Sequence, residues 1–477
     1  MRHTTLYFGV RAVNGVLGLA TLSLLTQWLS PADYGRYALG ASAIAVGASI
    51  LFQWLNVSVS RFHGRGEDTD ARLLTEAARM FAVIAAAAVL AAAAIVMTRG
   101  DAAPIGRSFA VVVALGCCAM GLHNLHLQIV NSRGQPLRYG LITSTRAAVA
   151  LAGAAGALRA GWGVTGALMA LTVGCLVAVG LFGARWPLRL TPENATLRRE
   201  LVSYGLPLSA TYLATMLIDA SDRFLIGSML GVAYVAPYAA SYDLTQQTVG
   251  VVLNVFFLSL YPRITRAWET EGEQGARREL TQLARCIALA APFVVGVFAT
   301  FATPIARLLL GAGVREQASL LMPPIALAIA LGGVKSYLLD IPLMLQRRVH
   351  VHLVVTFLMA GANIVLNLML LPTLGLVGSA IAAVVSFGLG AGIVFSLGHR
   401  SRLVQLGVRD LTVAIAAATG LWLAGRGMLG VAQQAGLPAL AGVAIAGIAA
   451  TCVFALISVV LDLGGAGAYV RKLRRMQ

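Results

Sequence analysis

Long apolar stretches separated by short polar segments run from one end of the chain to the other. A stretch of about 20 apolar residues can cross the ~30 Å hydrocarbon core of a membrane as a helix. Because backbone groups in lipid need partners within their own segment, these stretches are predicted to be helices. The predicted fold class is an all-α polytopic membrane protein with about fourteen transmembrane helices, over residues 6–29, 37–59, 76–98, 107–129, 139–158, 164–184, 203–230, 234–260, 281–309, 317–345, 353–372, 376–397, 410–428 and 436–463.

The composition supports a membrane protein. Of the 477 residues, 58% are hydrophobic and only 12% are charged, which is too little polar surface for a soluble domain. The net charge of +17 could suggest a nucleic-acid partner, but the basic residues fall in short groups between the apolar stretches. The positive-inside rule describes that distribution, so no nucleic-acid partner is predicted.

The basic residues also predict the orientation of the chain. With the N-terminus in the cytoplasm, 24 of the 36 basic residues fall on the cytoplasmic side and seven on the other side. Both termini are therefore predicted to be cytoplasmic. The outward segments are short, and no nucleotide-binding glycine motif is present. We therefore predict a transporter and no enzyme, although a membrane glycan polymerase or ligase remains an alternative.

The two halves of the chain resemble each other at an offset of about 200 to 214 residues. The segment YGRYALGAS around Tyr37 corresponds to VAPYAASYD around Tyr238, and ARLLTEAARMFA from Ala71 corresponds to ARRELTQLARCIA from Ala276. Each unit contains six predicted helices, an even number, so the two are parallel repeats. The predicted domains are an N-lobe (1–190), a C-lobe (200–400), two extra helices (410–463) and a basic cytoplasmic tail (464–477).

Three segments resemble bacterial polysaccharide-transporter flippases. The segment GVRAVNGVLGLATLSLLTQWLSPADYGRYALG (9–40) resembles the opening of that family, in which an arginine-bearing helix precedes a proline-containing turn. The segment YGLPLSATYLATMLIDASDRFLIGSMLG (204–231) is similar to the start of its second half. The segment PIARLLLGAGVREQASLLMPPIALA (304–328) is similar to the junction of its ninth and tenth helices. The resemblance covers roughly residues 5–400.

The family belongs to the multidrug/oligosaccharidyl-lipid/polysaccharide exporter superfamily. The resemblance implies translocation of undecaprenyl-diphosphate-linked oligosaccharide from the cytoplasmic to the periplasmic leaflet of the bacterial inner membrane, by alternating access. Membrane lipid and the lipid-linked glycan are the implied partners, and a polysaccharide polymerase or export complex is a further candidate. No cofactor is expected, and H⁺, Na⁺ or the membrane potential are the candidate driving forces. A drug or small-molecule antiporter of the same superfamily remains an alternative.

Positively charged residues near or within the predicted spans are candidate binding groups for the diphosphate. A bare anion in hydrocarbon is very costly, and the arginine fork can bond two phosphate oxygens at once. The alternative is that each cation ties helices together or extends to a lipid headgroup. The candidate substrate-binding residues are Arg11, Arg61, Arg146, Arg223 and Lys335.

Acidic and amide side chains form a second set of candidates. Asp219 precedes Arg223 by four residues, which predicts an ion pair on one helix face. Asp340 follows Lys335 by five residues, which predicts that the two cannot face each other on a regular helix. The candidate ion-coupling residues are Asp219, Asp222, Asp243 and Asp340, and the polar residues predicted to line water are Gln246, Gln247 and Asn254.

Three tyrosines, Tyr234, Tyr238 and Tyr242, recur at helical spacing after a predicted outer turn. Aromatic residues gather at membrane–water interfaces, so an aromatic belt is the first interpretation. Stacking against a sugar is the alternative.

Overall fold

The computed structural model describes residues 2–64, 67–99, 107–184, 194–399 and 408–466. Within these ranges all regular secondary structure is helical. The helices are α1 (Arg2–Trp28), α2 (Pro31–Phe62), α3 (Glu67–Arg99), α4 (Arg107–Ser132), α5 (Pro136–Arg159), α6 (Gly163–Phe182), α7 (Ala195–Met229), α8 (Val232–Thr245), α9 (Val251–Leu309), α10 (Ala312–Val334), α11 (Ile341–Leu345), α12 (Val349–Leu374), α13 (Leu376–His399), α14 (Val408–Gln434) and α15 (Ala439–Val460). Two π turns, Gln246–Gly250 and Lys335–Leu339, interrupt this series.

Twelve helical stretches in the described ranges are long and apolar enough to cross a membrane, and α7, bent by 42°, is a thirteenth. One of the twelve, Val232–Leu309, is 78 residues long. At 1.5 Å per residue it would extend about 117 Å, several times the membrane thickness, so it holds both predicted spans 234–260 and 281–309. The prediction of about fourteen transmembrane helices is confirmed.

The segment between those two spans is helical rather than a loop. Helix α9 continues through it and breaks at Gly272, whose φ of 65° lies in the left-handed region that favours glycine. Arg263 before the break pairs with Glu279 after it, at 3.0 Å. The segment therefore forms two helical arms joined at Gly272.

The contacts divide the chain into two compact units, Met1–Ala239 and Ala240–Gln477. In the first unit α7 packs along α2, and a hydrophobic core is formed mainly by leucines and isoleucines of α2, α3, α4 and α5. In the second unit α14 and α15 pack on α9 around Phe301, Leu421 and Phe454. The lobe boundaries predicted from the repeat stay predictions, and the predicted basic tail after residue 466 lies outside the described residues.

Helices α2 and α7 approach each other closely at Gly205. A Cβ atom on Gly205 would lie 2.1 Å from the backbone oxygen of Trp54. Beside this contact the buried hydroxyl of Ser58 donates to the backbone oxygen of Leu201 at 2.6 Å. Only glycine leaves room for this backbone-to-backbone approach.

Gly205→Val is therefore expected to force α7 away from α2 and to destabilise the fold by about 1–3 kcal/mol. Thermal unfolding of the detergent-solubilised protein measures the effect. Gly180→Val is the matched control, because a Cβ atom on Gly180 of α6 meets nothing within 4 Å. Equal melting temperatures for the two variants would contradict the prediction.

Candidate functional site

Helices α1 and α5 run side by side in the same direction. The amide of Asn14 donates to the hydroxyl of Thr143 at 2.9 Å. Four residues earlier on α1, Val10 lies against Gly140, where a Cβ atom would be 2.4 Å from the valine side chain. Val10 precedes Asn14 on α1, and its partner Gly140 precedes Thr143 on α5, so the two helices are parallel.

Arg11 lies about one turn before Asn14 on α1, and Arg146 lies about one turn after Thr143 on α5. The two residues are therefore separated by about 9 Å along the helix axes. Arg146 lies near the buried Cys175 of α6 and the buried His123 of α4, and its Nε atom is buried without a hydrogen-bond partner among the described residues. A role in binding the substrate therefore stays a prediction for Arg146.

Two neighbouring residues of α7 with opposite charges have different partners in the first unit. The Arg223 guanidinium, which is half-buried, donates to the hydroxyl of Ser42 on α2 at 3.2 Å. Asp222 is buried, and its carboxylate accepts a hydrogen bond from the hydroxyl of Tyr238. The ion pair between Asp219 and Arg223 stays a prediction.

The aromatic-belt interpretation is wrong for two of the three tyrosines. Tyr234 is 46% exposed, but Tyr238 and Tyr242 are only 1% and 7% exposed. The face of α8 that carries Tyr238 and Tyr242 packs inside the protein. Burial of the Tyr238 ring is possible because its hydroxyl is satisfied by Asp222.

Arg61 lies in the last turn of α2 and is exposed. Just beyond it, the Asp70 carboxylate accepts the backbone N–H of Gly64 at 2.9 Å, and Arg133 donates to His63 at 3.4 Å. Burial lowers the pKa of His63, and Asp70, which raises it, does not offset that effect. His63 is therefore uncharged at neutral pH, and the positive charge at this end of α2 comes from the arginines.

The predicted polar stripe crosses the first π turn. Asp243 lies in the last turn of α8, Gln246 and Gln247 begin the π turn, and Asn254 follows in α9. Gln246 is exposed and the other three are partly exposed. A role in lining water stays a prediction for all four.

Lys335 and Asp340 form a buried ion pair, so the prediction that they cannot face each other is wrong. The Lys335 Nζ lies 2.9 Å from Asp340 Oδ2, and the side chains are 3% and 0% exposed. The physical reason is the second π turn. The backbone N–H of Asp340 donates to the oxygen of Lys335 at 2.9 Å, so residues five apart share one face. The charge of Lys335 is therefore balanced by Asp340.

His352 of α12 completes this cluster, and this histidine was not predicted as a site residue from the sequence. Its Nδ1 atom lies 3.0 Å from Asp340 Oδ2, and its side chain is 15% exposed. The other carboxylate oxygen, Asp340 Oδ1, has no hydrogen-bond partner among the described residues. A histidine on the next helix could be found only from the fold, because its spacing from Asp340 follows no helical period.

The second unit also contains an apolar groove of about 550 Å³. Side chains of α9, α10, α13 and α14 line it together with Leu338 and Leu339 of the second π turn. Of the described residues that line the groove, only Asp410 is ionisable. The groove could not be predicted from the sequence, because its walls come from four helices that are distant in the chain.

The fold is shared by solved transporters of the MOP superfamily. The chain is 11% identical to the lipid II flippase MurJ in an inward closed conformation, with a TM-score of 0.75 over 95% of this chain and 98% of that one. It is 17% identical to an inward-facing multidrug resistance MATE family transporter, with a TM-score of 0.60 over 84% and 94% of the two chains. A MOP superfamily transporter from Pyrococcus furiosus Vc1 is 15% identical, with a TM-score of 0.53 over 85% and 95%.

These likenesses, none above 17% identity, show the fold, which is that of a multi-pass membrane protein. The polysaccharide biosynthesis protein family model matches residues 1–268, more than half of the 477 residues. The chain therefore belongs to the polysaccharide biosynthesis protein family, and the resemblance noted in the sequence is confirmed. No curated protein matches the sequence.

Proposed function

We propose that the protein is a flippase that moves undecaprenyl-diphosphate-linked oligosaccharide from the cytoplasmic to the periplasmic leaflet of the bacterial inner membrane. Both termini lie in the cytoplasm in this proposal. Membership of a polysaccharide biosynthesis family and a fold like that of a lipid II flippase support it. The observation that carries it is that the first unit holds partly exposed arginines within its membrane-spanning helices, Arg11 and Arg223.

Arg11 and Arg223 supply the charge that the substrate requires. A diphosphate carries negative charge through a region of low dielectric, and fixed cations lower that cost. The guanidinium fork bonds two phosphate oxygens at once. Arg61, exposed at the end of α2, is the proposed first contact for the headgroup. Lys335 does not contact the headgroup in this proposal, because its side chain is paired with Asp340.

The apolar groove of the second unit is the proposed site for the polyprenyl chain. Its walls are almost wholly apolar, and burial of apolar surface favours a hydrocarbon occupant. Alternating access of the two repeats, driven by H⁺, Na⁺ or the membrane potential, would carry the headgroup across.

Deletion of the gene tests the proposed function directly. We expect lipid-linked oligosaccharide units to accumulate on the cytoplasmic face of the inner membrane in the deletion strain. Accumulation of single units on the periplasmic face would instead indicate a glycan polymerase. Loss of drug resistance with unchanged glycan export would indicate a small-molecule antiporter.

Arg11→Ala and Arg223→Ala are each expected to lower glycan export about tenfold when they replace the wild-type gene. Each removes a charged donor, and hydrogen bonds to charged groups contribute about 1.5–3 kcal/mol. Surface glycan, normalised to the amount of protein in the membrane, measures the effect. Arg315→Ala is the control, because Arg315 is exposed in the first turn of α10. Full export by both variants would remove these arginines from the mechanism.

A further inference from the structure

The second π turn joins three features of the second unit within five residues. Its first residue, Lys335, forms the buried ion pair with Asp340. The ring of Tyr337 packs against that of Phe257 on α9, with centroids 5.4 Å apart. The last two residues, Leu338 and Leu339, line the apolar groove. A change in the ion pair therefore acts on a segment that also shapes the groove.

Lys335 and His352 both approach the same oxygen of Asp340. The Lys335 Nζ lies 2.9 Å and the His352 Nδ1 3.0 Å from Oδ2. With a neutral imidazole, the cluster has no net charge. A proton on His352 would leave one positive charge uncompensated where Lys335 is 3% and Asp340 0% exposed, and such burial is costly. The cluster then has to rearrange.

We propose that Lys335, Asp340 and His352 form a proton-binding site through which the proton gradient drives transport. This proposal rests on the proposed transport function. His352 accepts the proton, Asp340 lies within ion-pair distance of its Nδ1 atom, and Lys335 balances the carboxylate when the imidazole is neutral. Histidine suits this task because its charge ordinarily changes between about pH 5 and 8.

His352 lies where protons can reach it. It is in the first turn of α12, directly after a turn that contains the exposed Arg347 and Arg348. Arg347 has a φ of 57°, a left-handed conformation that is uncommon for a residue with a side chain. The proton exchanges with water at the end of α12 that carries these arginines, the end that the charge distribution predicts to be cytoplasmic.

Other ionisable groups lie on the elements around the cluster. His350 on α12 and Arg285 on α9 are exposed, and Asp410 on α14 lines the groove. Helix α10 carries Arg315 and Glu316 in its first two turns, at the opposite end from the π turn. In the described part of the chain, only Lys335 and His352 lie within 4.0 Å of the Asp340 carboxylate in an ion pair.

Rearrangement of the cluster would change the groove. When His352 competes for Oδ2, the contact that holds Lys335 weakens, and the π turn can return towards regular helix. Removal of one π turn rotates the residues that follow it, so Leu338 and Leu339 would no longer face the groove in the same way. Proton binding would thereby alter the hold on the polyprenyl chain.

Proteoliposomes containing the purified full chain and lipid-linked oligosaccharide provide the first test. We expect transport by the wild type to vary between pH 5 and 8 and to be accompanied by proton flux, measured with a pH-sensitive dye. His352→Gln should lose at least about nine-tenths of the proton flux and the pH dependence. His350→Gln, which changes an exposed histidine two residues away, should behave as wild type. Unchanged pH dependence in His352→Gln would overturn the proposal, as would transport driven only by sodium.

Protonation of the cluster can also be measured without transport. In histidine-labelled protein in detergent, the imidazole resonance that is missing in His352→Gln should shift when the pH is changed. A His352 resonance that does not respond to pH would overturn the proton-binding site. Failure of the wild type to move the oligosaccharide at any pH would count against the proposed function, whatever the resonance shows.

Discussion

Asp340→Asn is expected to destabilise the protein by about 3–5 kcal/mol, because it leaves the Lys335 ammonium without a counter-charge at a buried position. Lys335 is only 3% exposed, and its one ion-pair partner among the described residues is Asp340. Lys335→Met should have a similar effect, since it leaves a buried carboxylate that already has one oxygen without a hydrogen bond.

The double variant Lys335→Met/Asp340→Asn should recover stability to within about 1–2 kcal/mol of wild type. Replacement of a buried ion pair by neutral groups of similar size is often nearly neutral, whereas removal of one partner is not. Unfolding of the four proteins in detergent gives the coupling free energy between the two residues.

The exposed pair of Arg263 and Glu279 provides the control for this cycle. Its side chains are 54% and 22% exposed, so its loss should cost at most about 1 kcal/mol. Single variants of Lys335 or Asp340 that cost no more than this control would show that the cluster is open to water. That result would also weaken the proposed proton site, because a hydrated cluster has no reason to rearrange.

Hydrophobic pattern was sufficient to predict the membrane-spanning helices. The predicted span 376–397 agrees with α13 (Leu376–His399), and the predicted span 139–158 lies within α5 (Pro136–Arg159). Helix α5 begins with a proline at a position where its missing N–H is not needed, and such signals are local. The length and apolarity of a span are properties of contiguous residues, so they can be read without the fold.

The π turn at Lys335 could not be predicted in this way. It depends on tertiary packing, since Gly333, just before it, lies against Leu253, where a Cβ atom would be 2.6 Å from the leucine side chain. A regular α-helix would place Lys335 and Asp340 on different faces, whereas the π turn brings them onto the same face. The contact between His352 and Asp340 also could not be predicted, because it depends on how α12 packs after the turn at Arg347.

The helical arms around Gly272, in contrast, follow from local sequence. The segment 263–279 is rich in arginine and glutamate and lies between the predicted spans 234–260 and 281–309. Arginine and glutamate are good helix formers, so both arms continue the helices on either side. The break falls at Gly272, where the left-handed φ excludes most other residues. The helix propensity of these residues predicts the arms, whereas the hydrophobic pattern marks only the apolar spans.

Polar positions were therefore easier to find than their roles. Asp222, Tyr238 and Lys335 were all singled out from the sequence, yet their partners are set by packing. A carboxylate in a predicted span is equally compatible with a water-filled path and with a buried hydrogen bond to tyrosine. Only the contact between Asp222 and Tyr238 distinguishes the two.

Gly392→Phe is expected to abolish glycan export while the protein remains folded. Gly392 lies on α13 and lines the apolar groove, and a Cβ atom there would meet nothing within 4 Å. The fold therefore has room for the new side chain, and replacement of glycine within a helix removes its unfavourable helix propensity. The phenyl ring would occupy the space proposed for the polyprenyl chain.

Surface glycan and the melting temperature of the purified protein together measure this effect. Gly427→Phe on α14 is the matched control, because a Cβ atom on Gly427 also meets open space and Gly427 does not line the groove. It should keep near-normal export. Loss of export in both variants, or a lowered melting temperature in Gly392→Phe, would mean that the substitution acts on folding.

A second apolar groove, of about 670 Å³, lies between α12 and α13 and provides a direct competitor. Gly361 lines it, and a Cβ atom on Gly361 likewise meets nothing within 4 Å. Hydrophobic burial alone does not choose between two apolar grooves, because it is non-directional. Only the first groove is bordered by the π turn that carries Lys335, so only a lipid chain held there can respond to the ion pair. Loss of export in Gly361→Phe with normal export in Gly392→Phe would place the chain in the second groove and separate it from the proton site.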